Sequence, residues 1–230
     1  MRKAILSVFL AAGLFTLSLS AASPAFATFT ISGGSGSDQI IAGMFKHGTD
    51  TLAKAWVCVD DGSTGTFYSV GDSLGLTSSG TVYGAGGNDT MWIVSSKSEL
   101  GPTHCQVSGR SWTELLYHGN FVDLVGDAGN DTLDDGGGAH DTYLFGLADN
   151  DIIAQRSSIG DAIGGDGGDL LYGWITGTGD NLNGNAGDDC LWFSDSTFTY
   201  GDCGSGGESA GDKCNLTTPT NCEHLTTTCP

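Results

Sequence analysis

The sequence predicts an all-β protein, a solenoid of short stacked turns and strands closed by a cysteine-rich end. Three observations carry this. Aspartates recur at Asp131, Asp141, Asp151, Asp161, Asp169, Asp180 and Asp189, 8 to 11 residues apart. Each follows a glycine-rich or polar turn and precedes a short strand-like run, as in "NDTLD" and "NDIIA". Glycine supplies 38 of the 230 residues, a density that breaks amphipathic helices, and the apolar residues lack the three-to-four spacing that a helix needs.

A unit of one turn and one short strand cannot bury its apolar face alone, so copies must stack. With two turns and two strands per coil, about 19 residues, alternate acids share an edge. One edge then reads "GDAGND" to Asp131, "GLADND" to Asp151, "GGDGGD" to Asp169 and "GNAGDD" to Asp189, each opening on Gly with Gly or Asp fourth. The other edge reads "GGGAHD" to Asp141, "RSSIGD" to Asp161 and "ITGTGD" to Asp180, a degraded version.

Taken in chain order, residues 1–27 have the form of a secretory signal: Arg2 and Lys3, an apolar run from Ala4 to about Leu19, then small residues with Ala25 and Ala27 in the A-x-A arrangement. The run is short for a membrane anchor and has no basic flank after it, so no membrane span is expected in a mature chain beginning near Thr28. Removing the signal leaves 6 Lys and Arg against 27 Asp and Glu, a formal charge of −21. That charge repels nucleic acid and anionic membranes and calls for cations to neutralise it.

Residues 28–120 are expected to be a β-rich region of degenerate repeats. From Met44 to Asn120, β-branched and aromatic residues alternate with Gly and Ser turns. "GTD" at Asp50 and "VGD" at Asp72 read as worn repeats, and "SWTELLYHG" offers a capping box from Ser111 to Glu114 for a short helix, with a loop as the alternative. Residues 121–193 carry the regular repeat. Residues 194–230 form a cap holding Cys203, Cys214, Cys222 and Cys229.

"GGSGSDQII" (Gly33 to Ile41), "GAGGNDTMW" (Gly84 to Trp92), "GDAGNDTLD" (Gly126 to Asp134) and "GGDGGDLLY" (Gly164 to Tyr172) resemble the RTX, or haemolysin-type, nonapeptide G-G-x-G-x-D-x-U-x, with U a large apolar residue. The first fits at every specified position. The resemblance implies a parallel β-roll with calcium held in the turns between successive coils. It implies ligating carboxylates at Asp38, Asp89, Asp131, Asp151, Asp169 and Asp189, with turn carbonyls completing the shell. Asp149 and Asp166 inside the turns, and Asp141, Asp161 and Asp180 on the weaker edge, are further candidate ligands. Calcium takes about six to eight oxygens, and glycine lets a turn bend its carbonyls toward an ion. Metal binding and folding are then linked.

The chain departs from that family in its amino-terminal signal and its 7 cysteines. Export to an oxidising compartment makes disulfides the default. The expected pairings are Cys58 with Cys105, Cys190 with Cys203, and Cys214 with Cys222, leaving Cys229 odd, although spacing does not determine connectivity.

No catalytic constellation is visible, and an enzyme is not expected. His47, His104, His118, His140 and His224 show no zinc spacing, and no nucleophile elbow or phosphate loop is present. His104 adjoins Cys105, but neighbours on a strand face opposite ways. The sequons at Asn88, Asn130 and Asn215 carry little weight. The expectation is a secreted calcium-binding repeat protein, extracellular or periplasmic. The alternative is a calcium-dependent recognition protein with a cell-surface, glycan or ice partner, suggested by Thr90, Thr132 and Thr142, an array that lapses at Ile152, Leu170, Asn181 and Cys190. A secreted enzyme with an unfamiliar site in the amino-terminal region is the third reading.

Overall fold

The computed structural model describes residues 28–76, 79–94, 101–106, 122–173, 181–194, 201–204, 211–215, 220–222, 224–225 and 229. Strands dominate, and among the described residues the one helical segment is a 3-10 turn at Thr103–Cys105. The expected helix around Ser111 lies outside the described residues.

Successive strands alternate between two sheets. Sheet A holds Phe29–Ser32, Gly80–Gly86, Val122–Ala128, Leu144–Ala148, Asp161–Asp166, Asn181–Ala186 and Gly201–Asp202, in chain order and parallel throughout. Sheet B holds Gln39–Phe45, Thr90–Ile93, Thr132–Asp134, Ile152–Gln155, Leu170–Gly173, Cys190–Phe193, Lys213–Cys214 and His224–Leu225, again in order and parallel. A unit is therefore a sheet A strand, a glycine-rich turn and a sheet B strand.

The core explains why such short strands hold. Ile31, Val82, Leu124, Leu144, Ala162 and Leu182 form one inward row in register along sheet A. Ile40, Met91, Leu133, Ile153, Leu171 and Leu191, two residues after each turn aspartate, form the inward row of sheet B. All of these are buried in one cluster. Each unit thus contributes at least one apolar side chain per sheet, and full burial of a Val, Leu, Ile or Met side chain stabilises by about 1.5–3 kcal/mol. One pair is insufficient to hold a unit alone, but the row is continuous.

The region after the first unit departs from the expected repeats. Lys54–Asp60 pairs antiparallel with Gln39–Phe45, and Gly65–Ser69 pairs antiparallel with Lys54–Asp60, so the chain doubles back across the end of sheet B. Asp50 lies in the connection of that hairpin, with its carboxylate 2.7 Å from Lys54 Nζ. Asp72 lies in a tight antiparallel hairpin where its Oδ1 accepts the Leu74 N–H. Neither is a worn repeat. Each closes a local turn, and the parallel stacking resumes only at Gly80.

Three disulfides are present, in keeping with an oxidising compartment. Cys58–Cys105 is as expected. The other two pairings correct the expectation: Cys190 joins Cys229 and Cys203 joins Cys222, leaving Cys214 outside the three bridges. Strand alternation is the reason. Leu191 faces the core, so Cys190 faces outward and away from Cys203, which lies in the core cluster. Cys203, Cys214 and Cys222 gather at the core end, their sulfurs within 4.8 Å of one another. No helix among the described residues is long and apolar enough to cross a membrane.

Candidate metal centre

The turns between the sheets superimpose their aspartates into one line. The backbone N–H of Asp38 donates to Asp89 Oδ1 at 2.6 Å, that of Asp89 to Asp131 at 2.7 Å, and that of Asp131 to Asp151 at 2.8 Å. The line continues from Asp151 to Asp169 and from Asp169 to Asp189, both at 2.8 Å, and from Asp189 to Asp212 at 2.7 Å. All seven aspartates are buried. Asp38, Asp89, Asp131, Asp151, Asp169 and Asp189 are the residues named from the sequence. Asp212 was missed, because "GESAGD" is followed by Lys213 and Cys214 in place of an apolar pair.

The second oxygen of each carboxylate defines the chemistry. Oδ2 of Asp89, Asp131, Asp151, Asp169, Asp189 and Asp212 is buried and has no hydrogen-bond partner. At Asp38, the first of the line, Oδ2 accepts the Gly34 N–H. Burying a charged acceptor without a partner is costly, so a line of six is an unbalanced feature.

The glycine opening each turn makes room for these oxygens. A Cβ at Gly146 would lie 2.1 Å from Asp151 Oδ2 and 2.5 Å from the Gly164 carbonyl oxygen. At Gly164 the same point lies 2.2 Å from Asp169 Oδ2 and 2.8 Å from the Gly184 carbonyl. A carboxylate oxygen and the next unit's carbonyl therefore converge on one side of each first glycine. The second and fourth turn positions are left-handed, as at Leu147 (φ 82°), Asp149 (φ 74°), Asn185 (φ 73°) and Gly187 (φ 141°). This accounts for the Gly or Asp at the fourth place.

Burial raises the carboxyls from their ordinary 3.8, partly offset by the N–H each accepts. Asp89, Asp131 and Asp169 rise to about 6, Asp189 to about 7 and Asp151 to about 8. Neighbouring acids add to the rise: Asp127 and Asp149 act on Asp131, Asp169 and Asp131 on Asp151, and Asp166 on Asp169. Asp149 and Asp166 themselves are exposed beside the line.

A second, solvent-facing ladder runs alongside. Asn88, Asn130 and Asn150, each just before a turn aspartate, accept the N–H of the equivalent residue in the following unit, at 3.1, 3.0 and 2.6 Å. As sequons, Asn88 and Asn130 gave no sign of this.

The opposite edge differs. Asp161 is half-exposed, and its Oδ1 accepts both the N–H and the Nδ2–H of Asn181. Asp141 ends the short strand Gly138–Asp141, paired with Ser157–Ile159, and Asp180 lies outside the described residues. Near the antiparallel hairpin, buried Asp60 accepts the backbone N–H of His104 at 2.9 Å and lies 2.8 Å from its Nδ1. Burial pushes the Asp60 carboxyl up, but these bonds and the Gly62 N–H outweigh it and leave it lowered. With Cys58–Cys105 next to it, the pair clasps the 3-10 turn to the hairpin.

The buried line is a row of hard oxygen donors, a donor set that fits calcium better than a soft or strongly geometric metal. No family model, curated protein or solved structure matches the chain.

Proposed function

We propose that the chain is an exported calcium-binding protein whose stacked units form a parallel β-roll of the haemolysin type, completed by cations along the line from Asp89 to Asp212. The observation that carries this reading is the row of six buried carboxylate oxygens without a hydrogen-bond partner. Calcium would supply the positive charge and the oxygen-seeking coordination that these atoms lack. The residues would divide the work. Each turn aspartate uses Oδ1 to hold the preceding unit's N–H and keeps Oδ2 for the ion. The first glycine admits the next carbonyl beside it, and exposed Asp149 and Asp166 with half-buried Asp127 and Asp188 add negative potential at the same edge. Folding and binding are then one equilibrium.

The test is far-UV circular dichroism of the mature, oxidised chain after chelation, titrated with calcium and separately with magnesium. The expected outcome is a cooperative gain of β signal with calcium that magnesium does not reproduce. A full β spectrum in chelator, unchanged by calcium, overturns the reading.

A further inference from the structure

From a groove on the outer face of sheet B, we infer that the chain also binds a neutral polysaccharide, holding one pyranose unit against Trp92. The groove, about 350 Å³, is lined by the strand Thr90–Ile93 with Thr132, Asp134, Gly136 and Arg156. It starts one residue after Asp89 and Asp131 of the aspartate line, but no carboxylate of the line is among its lining residues, and it does not depend on the calcium reading.

The groove is built by register. Met91 and Leu133 face the core, so Trp92 and Asp134, paired across the sheet, face outward. Trp92 is half-buried, leaning on the small cluster of Ile41, Phe45, Cys58, Val94 and Cys105. Asp134 is held at one oxygen by the Gly136 N–H at 2.9 Å, while Arg156 Nη2 lies 2.8 Å from the other. Arg156 remains 42% exposed, so its planar donor fork stands at the groove wall beside a carboxylate acceptor. Thr90 and Thr132 pair in register and add two hydroxyls.

This chemistry selects the occupant. A pyranose presents a flat array of C–H bonds to an aromatic face and vicinal hydroxyls that donate and accept side by side. A purely apolar ligand would leave the Asp134–Arg156 pair without use. An anionic polymer is disfavoured by a chain of formal charge −19 before processing. The outward row through Trp92 and Asp134 continues by Ala154 to Tyr172 and Trp192. At about 4.8 Å per strand, these rings stand three and four strands away from Trp92, a separation that suits an extended chain better than a single sugar.

Affinity electrophoresis tests the inference, using the mature, oxidised chain with calcium in native gels containing a β-glucan, a mannan, a soluble chitin derivative or polygalacturonate. Retardation by at least one neutral polymer and not by polygalacturonate is expected. Trp92→Ala should weaken it about tenfold and Trp92→Phe should restore most of it. Since Trp92 also supports the small cluster, Arg156→Leu repeats the test from the exposed wall, and circular dichroism confirms that each variant is folded. Absence of retardation by every neutral polymer, equal retardation by polygalacturonate, or retardation unchanged in Trp92→Ala and Arg156→Leu overturns the inference. Concentration-dependent dimerisation without retardation, showing the groove occupied by a second copy, overturns it as well.

Discussion

The two edges of the molecule are made by the same chain, at the same rhythm, with the same residue type, yet among the described residues only one builds a continuous line. On the strong edge every aspartate is buried and bonded to the next. On the other, Asp161 is half-exposed and bonds to a single asparagine. What separates Asp161 from the strong edge is the residue five before the aspartate, a glycine on the strong edge. At Gly126, Gly146, Gly164 and Gly184 it admits a carboxylate oxygen where a Cβ would otherwise be. The turn to Asp161 opens on Arg156, whose side chain turns outward to Asp134. At Asp161 acidic spacing without a leading glycine therefore makes a surface position, and on the strong edge spacing with it makes a buried one.

The largest test of this contrast is pH, because it acts on the whole line at once. In the folded, metal-free chain the raised carboxyls hold protons that the unfolded chain has lost. Their contribution is full below about pH 4 and is lost as pH rises through about 6 to 8. Thermal melts in chelator should show the melting temperature falling across that window, and saturating calcium should flatten the fall. A melting temperature that climbs from pH 4 to 8 in chelator would contradict the buried, cation-free line.

Single rungs sharpen the comparison. Asp151→Ala leaves the Asp131 N–H buried without its acceptor, a loss of about 1–3 kcal/mol, whereas Asp161→Ala should change stability by less than about 0.5 kcal/mol. Asp151→Asn keeps an acceptor and removes the charge. It should stabilise the metal-free chain at pH 7 while shifting the calcium midpoint upward about tenfold. Denaturant midpoints with and without calcium decide these, and equal effects at Asp151 and Asp161 would erase the distinction between the edges.

Glycines give the finest probe. Gly146→Ala places a methyl against Asp151 Oδ2 and the Gly164 carbonyl and should cost about 1–3 kcal/mol. At Gly36 an added Cβ meets nothing within 4 Å, and Gly36→Ala should be nearly neutral. Comparable midpoints for the two would show that the close oxygen approach is unimportant.

Much of this was legible in the sequence. The interval of the acids, the division into a strong and a weak edge, and the apolar row two residues after each aspartate follow from local rules that each unit repeats. What was not legible depends on partners far along the chain. Asp38 and Asp89 join the same line although 51 residues separate them, because the intervening segment folds back antiparallel. The turn "GGSGSD", the best fit to the repeat, starts the line, and neither Gly34 nor Gly36 takes the left-handed conformation found at the matching positions of later turns. The cysteine pairing was obscured because it depends on which face of a strand each sulfur occupies, which spacing does not show.

The hydrogen bonds of the aspartate line all run the same way, each amide reaching toward the carboxylate that follows it in the chain. The stack consequently has a direction. Trimming it from the front strips a donor from an acid that water or an ion can serve, whereas trimming it from the back exposes an amide whose only designed acceptor has gone. The vulnerable terminus is the later one, and it is there that Cys190–Cys229 and Cys203–Cys222 tie the chain down. The bridges act as a doorstop, placed at the end from which the array would otherwise unzip.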